Sequence, residues 1–210
     1  MKTLLQINAS LFSSAGQSSR LADAFVAEWR RLNPAGRVIE RDLAKAPVPH
    51  LTAERFQAFL SKPEARSPEQ EAVLGFSSAL IEELKAADVV VLGLPMYNFG
   101  VPSTLKAYFD HIARAGVTFK YTEKGPVGLL AGKKAYVFAT RGGLYAGTPL
   151  DTQTAYVRDF LRFLGIADVE FVYAEGLAMG AEQQKKALDA AGASIRRIAE
   201  ESSTPFAVAA

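Results

Sequence analysis

Two rhythms of apolar and polar positions alternate along the chain. Short apolar runs ending in polar or turn-forming residues are separated by longer segments in which apolar residues return every three or four positions. That is the pattern of strands alternating with amphipathic helices. Lys2–Asn8 reads as the first strand. Leu21, Phe25, Val26 and Trp29 then recur at helical spacing and predict a helix to about Leu32, capped by Ser18 or Ser19. Arg37–Asp42 is a second, shorter strand, and Pro47 and Pro49 make 44–51 a loop. Thr52–Leu60 looks helical. Ser67-Pro68-Glu69-Gln70 combines a serine cap, proline at the first helical position and glutamine three residues after the cap, and starts a helix running to about Ala86. Val89-Val90-Val91-Leu92, within Asp88–Gly93, is the continuous apolar run of a parallel strand covered on both faces. Beyond it, Pro102–Arg114 is read as a helix, Phe119–Leu130 as a turn-rich insertion and Lys134–Thr140 as a fourth strand. Asp151–Leu164 follows as a helix, Val169–Ala174 as a fifth strand and Gly180–Glu200 as the last helix.

Five strands joined by helical crossovers predict an α/β fold, a doubly wound parallel sheet of order 2-1-3-4-5 with helices on both faces. The pattern is that of one domain over residues 1–201 with a patternless tail at 202–210. In such a sheet the winding reverses between strands 1 and 3, and ligands bind beyond the carboxyl ends of those strands.

Composition narrows the chemistry. The 210 residues are 49% apolar and 22% charged, ordinary for a folded globular chain. There is no cysteine, which excludes disulfides and thiolate catalysis and argues against a zinc site of the usual kind, so no metal is assigned. Basic and acidic residues number 24 and 22, spread along the chain without like-charge blocks, so no nucleic-acid partner is expected. The apolar start of the chain is broken by Gln6 and Asn8 and makes a poor signal peptide; the apolar run Val89 to Met96 is too short to span a bilayer. A soluble, cytoplasmic protein with no membrane partner is the expectation.

Three loops at the ligand-binding edge have unusual compositions. After strand 1, Asn8 through Ser19 holds five serines and Gly16, with no charge before Arg20. Its hydroxyls and N–H groups can hold a terminal monophosphate at a helix N-terminus without a lysine, although a plain surface loop has the same composition. Neither G-x-G-x-x-G nor a complete G-x-x-x-x-G-K-[ST] motif is present. After strand 3, no residue from Val89 through Thr104 is charged. An apolar, aromatic loop here suits a flat ring such as a flavin, with Asn98 matching the polar edge of its pyrimidine and backbone N–H groups reaching N5. Burial against a second subunit would explain the same surface. After strand 4, Thr140-Arg141-Gly142-Gly143 lets backbone amides approach a ligand closely, and Arg141 adds positive charge where a reduced flavin is negative. A simple tight turn is the alternative.

The stretch Pro95-Met96-Tyr97-Asn98-Phe99-Gly100-Val101-Pro102-Ser103-Thr104-Leu105-Lys106, together with Gly116-Val117-Thr118-Phe119-Lys120-Tyr121 and Thr140-Arg141-Gly142-Gly143, resembles the FMN-dependent NADH azoreductases, which also act as quinone reductases. The resemblance runs from Ser10 to Ala174-Glu175-Gly176. It implies a flavodoxin-like homodimer with one FMN per subunit at the interface and NADH or NADPH as electron donor. Quinones and azo compounds are the implied acceptors, served by a ping-pong hydride transfer. It implies FMN contacts from Ser10, Gly16, Gln17 and Ser18, from Met96, Tyr97, Asn98 and Phe99, and from Thr140, Arg141, Gly142 and Gly143. Asn98, Phe99, Tyr121, Tyr145 and Phe163 would line the substrate pocket, partly across the interface. Gly16 stands where many relatives have serine, and Tyr145 near where some have histidine. No side chain is assigned as a catalytic acid or base: His111 reads as structural and His50 as a loop residue. Tyr108, Phe109 and Ile112 read as core or interface. The other reading is a flavodoxin-type electron carrier with no organic substrate. Such carriers are usually strongly acidic, whereas this chain has a net charge of +2.

Overall fold

The structure is a computed structural model that describes residues 1–203. The strands are β1 (Thr3–Asn8), β2 (Arg37–Asp42), β3 (Val89–Pro95), β4 (Phe119–Thr122), β5 (Gly125–Gly128), β6 (Lys134–Thr140) and β7 (Asp168–Ala174). The helices are α1 (Gln17–Leu32), α2 (Ala53–Leu60), α3 (Pro68–Ala86), α4 (Ser103–Ile112), α5 (Thr152–Phe163) and α6 (Ala181–Ser203). Five strands form one parallel sheet in the order β2-β1-β3-β6-β7, the expected 2-1-3-4-5 once the inserted β4 and β5 are set aside.

Alternation along β3 explains the two layers. Val90, Leu92 and Leu94 pack on one side with Leu80, Ile81 and Leu84 of α3, Leu105, Tyr108 and Phe109 of α4, and Val157 and Leu161 of α5. Val89 and Val91 pack on the other with Leu21, Phe25 and Trp29 of α1 and Ile195 and Ile198 of α6. Successive side chains of a strand point to opposite faces, so a strand covered on both must be apolar throughout, and all seven β3 residues are buried. The capping box at Ser67 and Gln70 is formed, each side chain bonding the other's backbone N–H.

Several boundaries differ from the sequence reading. The N-cap of α1 is Gly16; Ser18 and Ser19 lie inside its first turn, and both are buried. β3 continues to Pro95, and α4 stops at Ile112. The segment 119–130 contains an antiparallel hairpin, β4 pairing with β5 from Phe119–Gly128 to Thr122–Gly125. The last helix continues to Ser203; residues 204–210 of the expected tail lie outside the described residues.

Candidate functional site

All three singled-out loops leave the carboxyl ends of β1, β3 and β6 and meet at one edge. Two adjoining cavities lie there, of about 240 and 200 Å³, sharing Met96 and Gly142. Asn98, Phe99 and Tyr145 complete the first; the second is bounded by Ser10, Phe12, Gly16, Gln17, Tyr97, Thr140 and Arg141, among others.

The first loop is shaped by its own hydroxyls. Ser10 Oγ accepts from the N–H of Phe12 at 3.2 Å and lies 3.4 Å from Tyr97 Oη, while the N–H of Leu11 donates to Tyr97 Oη at 3.3 Å. Ser13, with φ of 52°, donates its hydroxyl to Asp42 at the end of β2. Burial favours the neutral form of Asp42, but bonds from Ser13, Ala44 and Lys45, with the Lys45 charge, hold its carboxyl below the usual range. A Cβ at Gly16 would strike Ser10 Oγ, so this close approach of backbone to Ser10 requires glycine. The Ser18 side chain is fully buried and its Oγ has no partner among the described residues. A buried polar atom without a bond is costly; Ser18 itself is not among the residues lining the two cavities, although its neighbour Gln17 is.

The second loop is a two-residue hairpin turn. Tyr97 and Gly100 exchange both backbone bonds, at 3.1 and 3.0 Å, and the residues between them, Asn98 and Phe99, have φ of 49° and 63°. Two consecutive positive φ values are the mark of a primed turn, which usually ends in glycine. Phenylalanine in that position is strained, and such strain concentrates at ligand sites. The Phe99 ring is 49% exposed and meets Tyr145 edge to face at 5.6 Å.

The third loop is braced by charge. The guanidinium of Arg141, expected to face the ligand, is instead fully buried. It pairs with Asp151 at 2.7 Å and Glu175 at 3.1 Å and lies over the Tyr173 ring. The side chain is withheld from the cleft, because an arginine removed from water takes the nearest carboxylates. The backbone is committed too, its N–H donating to Ala174 and its carbonyl accepting from Leu177. Glu175 Oε1 also accepts from the N–H groups of Tyr145 and Ala146, both at 2.9 Å, and so fixes the loop's curvature. The carbonyls of Gly142 and Gly143 accept from Ala178 and Gly176. The Tyr145 ring folds over Gly143, where any Cβ would collide with it.

Two expected pocket residues stand apart. Phe163 ends α5, roughly 16 Å along the helix axis from Thr152 at its start. There it packs on Phe119 at 4.3 Å, next to Tyr121, which is 74% exposed. Neither lines the two cavities. His50 borders a separate cavity of about 450 Å³ with Val101, Lys106 and Tyr156. His111 is buried, with Nδ1 2.9 Å from the Ala107 carbonyl; burial lowers its pKa, so it is a neutral structural group. Glu175, Asp151 and Gln153 were not anticipated from the sequence. The Gln153 amide donates to the carbonyls of Pro95 and Gly100, both at 2.9 Å, bracketing the strained turn.

Sheet order and the cleft at the switch point define a flavodoxin-like α/β protein. The chain belongs to the family described as having a flavodoxin-like fold, whose model matches residues 1–199. It is 59% identical over 184 residues to the FMN-dependent NADH:quinone oxidoreductase of Cellvibrio japonicus, covering 88% of this chain and 92% of that protein. It is 54% identical to the FMN-dependent NADH:quinone oxidoreductase of Alcanivorax borkumensis, over 88% of this chain and 93% of that one. Among solved structures it is similar to an FMN-dependent NADH-azoreductase from Bacillus anthracis in complex with FMN, with a TM-score of 0.88 and 28% identity. That match covers 97% of this chain and 100% of the other.

Proposed function

We propose that this chain is an FMN-dependent oxidoreductase that passes electrons two at a time from NADH or NADPH, one cycle reducing a quinone to a hydroquinone and two cycles cleaving an azo compound to two amines. One observation carries the reading: three loops converge at the switch point, the charge of Arg141 in the third being neutralised by two carboxylates, with an unpartnered buried hydroxyl, Ser18, in the first turn of α1 and a strained aromatic turn after β3. The names of the relatives support the same reaction.

Ser10, the Gly16 backbone, Gln17 and Ser18 would hold the FMN phosphate at the N-terminus of α1, where backbone N–H groups and the helix dipole favour an anion. Met96, Tyr97, Asn98 and Phe99 would hold the ring, Asn98 through both ends of its amide. Gly142 and Gly143 would act through their backbone N–H groups, while Thr140 and Arg141 would set the path of the loop, the Arg141 side chain being neutralised by two carboxylates and its backbone bonded to Ala174 and Leu177. FMN, when bound, supplies the redox chemistry by accepting hydride from the nicotinamide and delivering it to the acceptor. The protein's part is to position the reactants and exclude water. Phe99 and Tyr145 form one aromatic wall suited to planar donor and acceptor alike. Donor and acceptor would take turns against this wall, the nicotinamide product leaving before the acceptor enters. Water supplies the protons.

The remaining wall is assigned to a second copy. Tyr121 and Phe163 sit far from their own chain's cleft, and Tyr121, Leu144 and Leu150 are exposed at 74%, 55% and 52%. A homodimer that brings the hairpin of one copy to the cleft of the other completes the pocket. A cytoplasmic location matches the use of a pyridine nucleotide.

Purified protein supplied with FMN should oxidise NADH or NADPH with a quinone and with an azo dye, giving parallel double-reciprocal lines. Light scattering should report a dimer. Intersecting lines would overturn the order of events, a fully active monomer would overturn the shared pocket, and bound FMN without turnover would point to an electron carrier.

A further inference from the structure

The turn that would hold the ring does not hold itself. Asn98 and Phe99 both occupy the left-handed region, and neither is the glycine such a position favours. Positions of this kind are costly and persist only where the surroundings enforce them. What enforces them here comes from another element, the first turn of α5. The Gln153 side chain is fully buried, and one nitrogen, Nε2, donates to the carbonyl of Pro95 just before the turn and to that of Gly100 at its close. Thr152 donates its hydroxyl to the carbonyl of Phe99 inside the turn. Asp151, the N-cap of the same helix, accepts from the N–H of Thr154 and binds Arg141 of the neighbouring loop. One helix terminus therefore grips two of the three loops that make the cleft.

We infer that Gln153 is a positioning residue for the flavin site: its amide clamps the Tyr97–Gly100 turn in the strained form that presents Asn98 and Phe99 to the ring. This rests on the proposed FMN function. Both Nε2 hydrogens are committed to the turn and the residue lines neither cavity, so it acts through the backbone it holds; its Oε1 is buried without a partner among the described residues. A relaxed turn would have to be re-formed at each binding event, so its loss appears as weaker binding.

The test compares wild type with Gln153→Met, which keeps length and burial but cannot donate, and with Thr152→Val, a surface change that removes only the bond to Phe99. Gln153→Met is expected to weaken FMN binding, followed by quenching of flavin fluorescence, by about tenfold, and Thr152→Val by a smaller factor. The absorption spectrum of bound FMN should shift as the turn changes its contacts with the ring. Pairing Gln153→Met with Phe99→Gly, which makes the turn comfortable without the clamp, should shrink the Gln153 effect severalfold. Wild-type affinity retained in both Thr152→Val and Gln153→Met would overturn the inference. So would a Gln153→Met defect undiminished in the Phe99→Gly background. Should Gln153→Met fail to fold, Thr152→Val alone decides. Failure of wild type to bind FMN would instead overturn the proposed function, and the inference with it.

Discussion

Ser18 is the sharpest single-residue feature. Its hydroxyl is buried with no partner among the described residues, which costs roughly 1–3 kcal/mol in the ligand-free chain. Ser18→Ala is therefore expected to leave the melting temperature of the FMN-free protein unchanged or slightly higher, while weakening FMN binding about tenfold. Thermal melts with and without FMN check both halves, and an unchanged affinity would remove Ser18 from the site. At this scale the sequence misjudged how individual side chains are disposed. Serines near the start of a helix read naturally as caps, yet Gly16 takes that place and turns Ser18 inward. Arg141 was expected to face the ligand. Its pairing with Asp151, ten positions away, and Glu175, thirty-four away, depends on tertiary contacts that a loop's own composition does not reveal.

Among the elements, α5 links the cleft to the β4–β5 hairpin. Its first turn carries the clamp, and its last residue packs on the β4–β5 hairpin that bears Tyr121. The seam between hairpin and helix end is tight: a Cβ at Gly128 would overlap the backbone of Leu164 and Gly165, and Gly165 itself needs its φ of 101°. Gly128→Ala is expected to cost about 1–3 kcal/mol through this overlap. The melting temperature should fall by several degrees while FMN affinity barely changes, because the cleft lies at the other end of α5. An undiminished melting temperature would contradict the seam. The hairpin was legible only as a turn-rich insertion, since Gly125 and Pro126 interrupt any strand pattern. The β3 run and the capping box at Ser67 were readable because each is a purely local signal. The Gln153 clamp was not, because a glutamine on a helix carries no local mark of what it will reach.

For the molecule as a whole, sheet order decides where chemistry can occur. Strands β1 and β3 are neighbours, with Asn8 beside Gly93, and the chain winds away from them in opposite directions, opening the cleft at their carboxyl ends. That topology, and the loops it brings together, followed from the alternation of strand and helix patterns. Titration with FMN, followed by quenching of its fluorescence, is the most direct measurement of whether the three loops form one cradle. One FMN should bind per chain, with affinity reduced by substitution in each loop separately: Gln17→Ala after β1, Asn98→Ala after β3 and Gly142→Val after β6. No uptake of FMN, or uptake indifferent to all three changes, would contradict it.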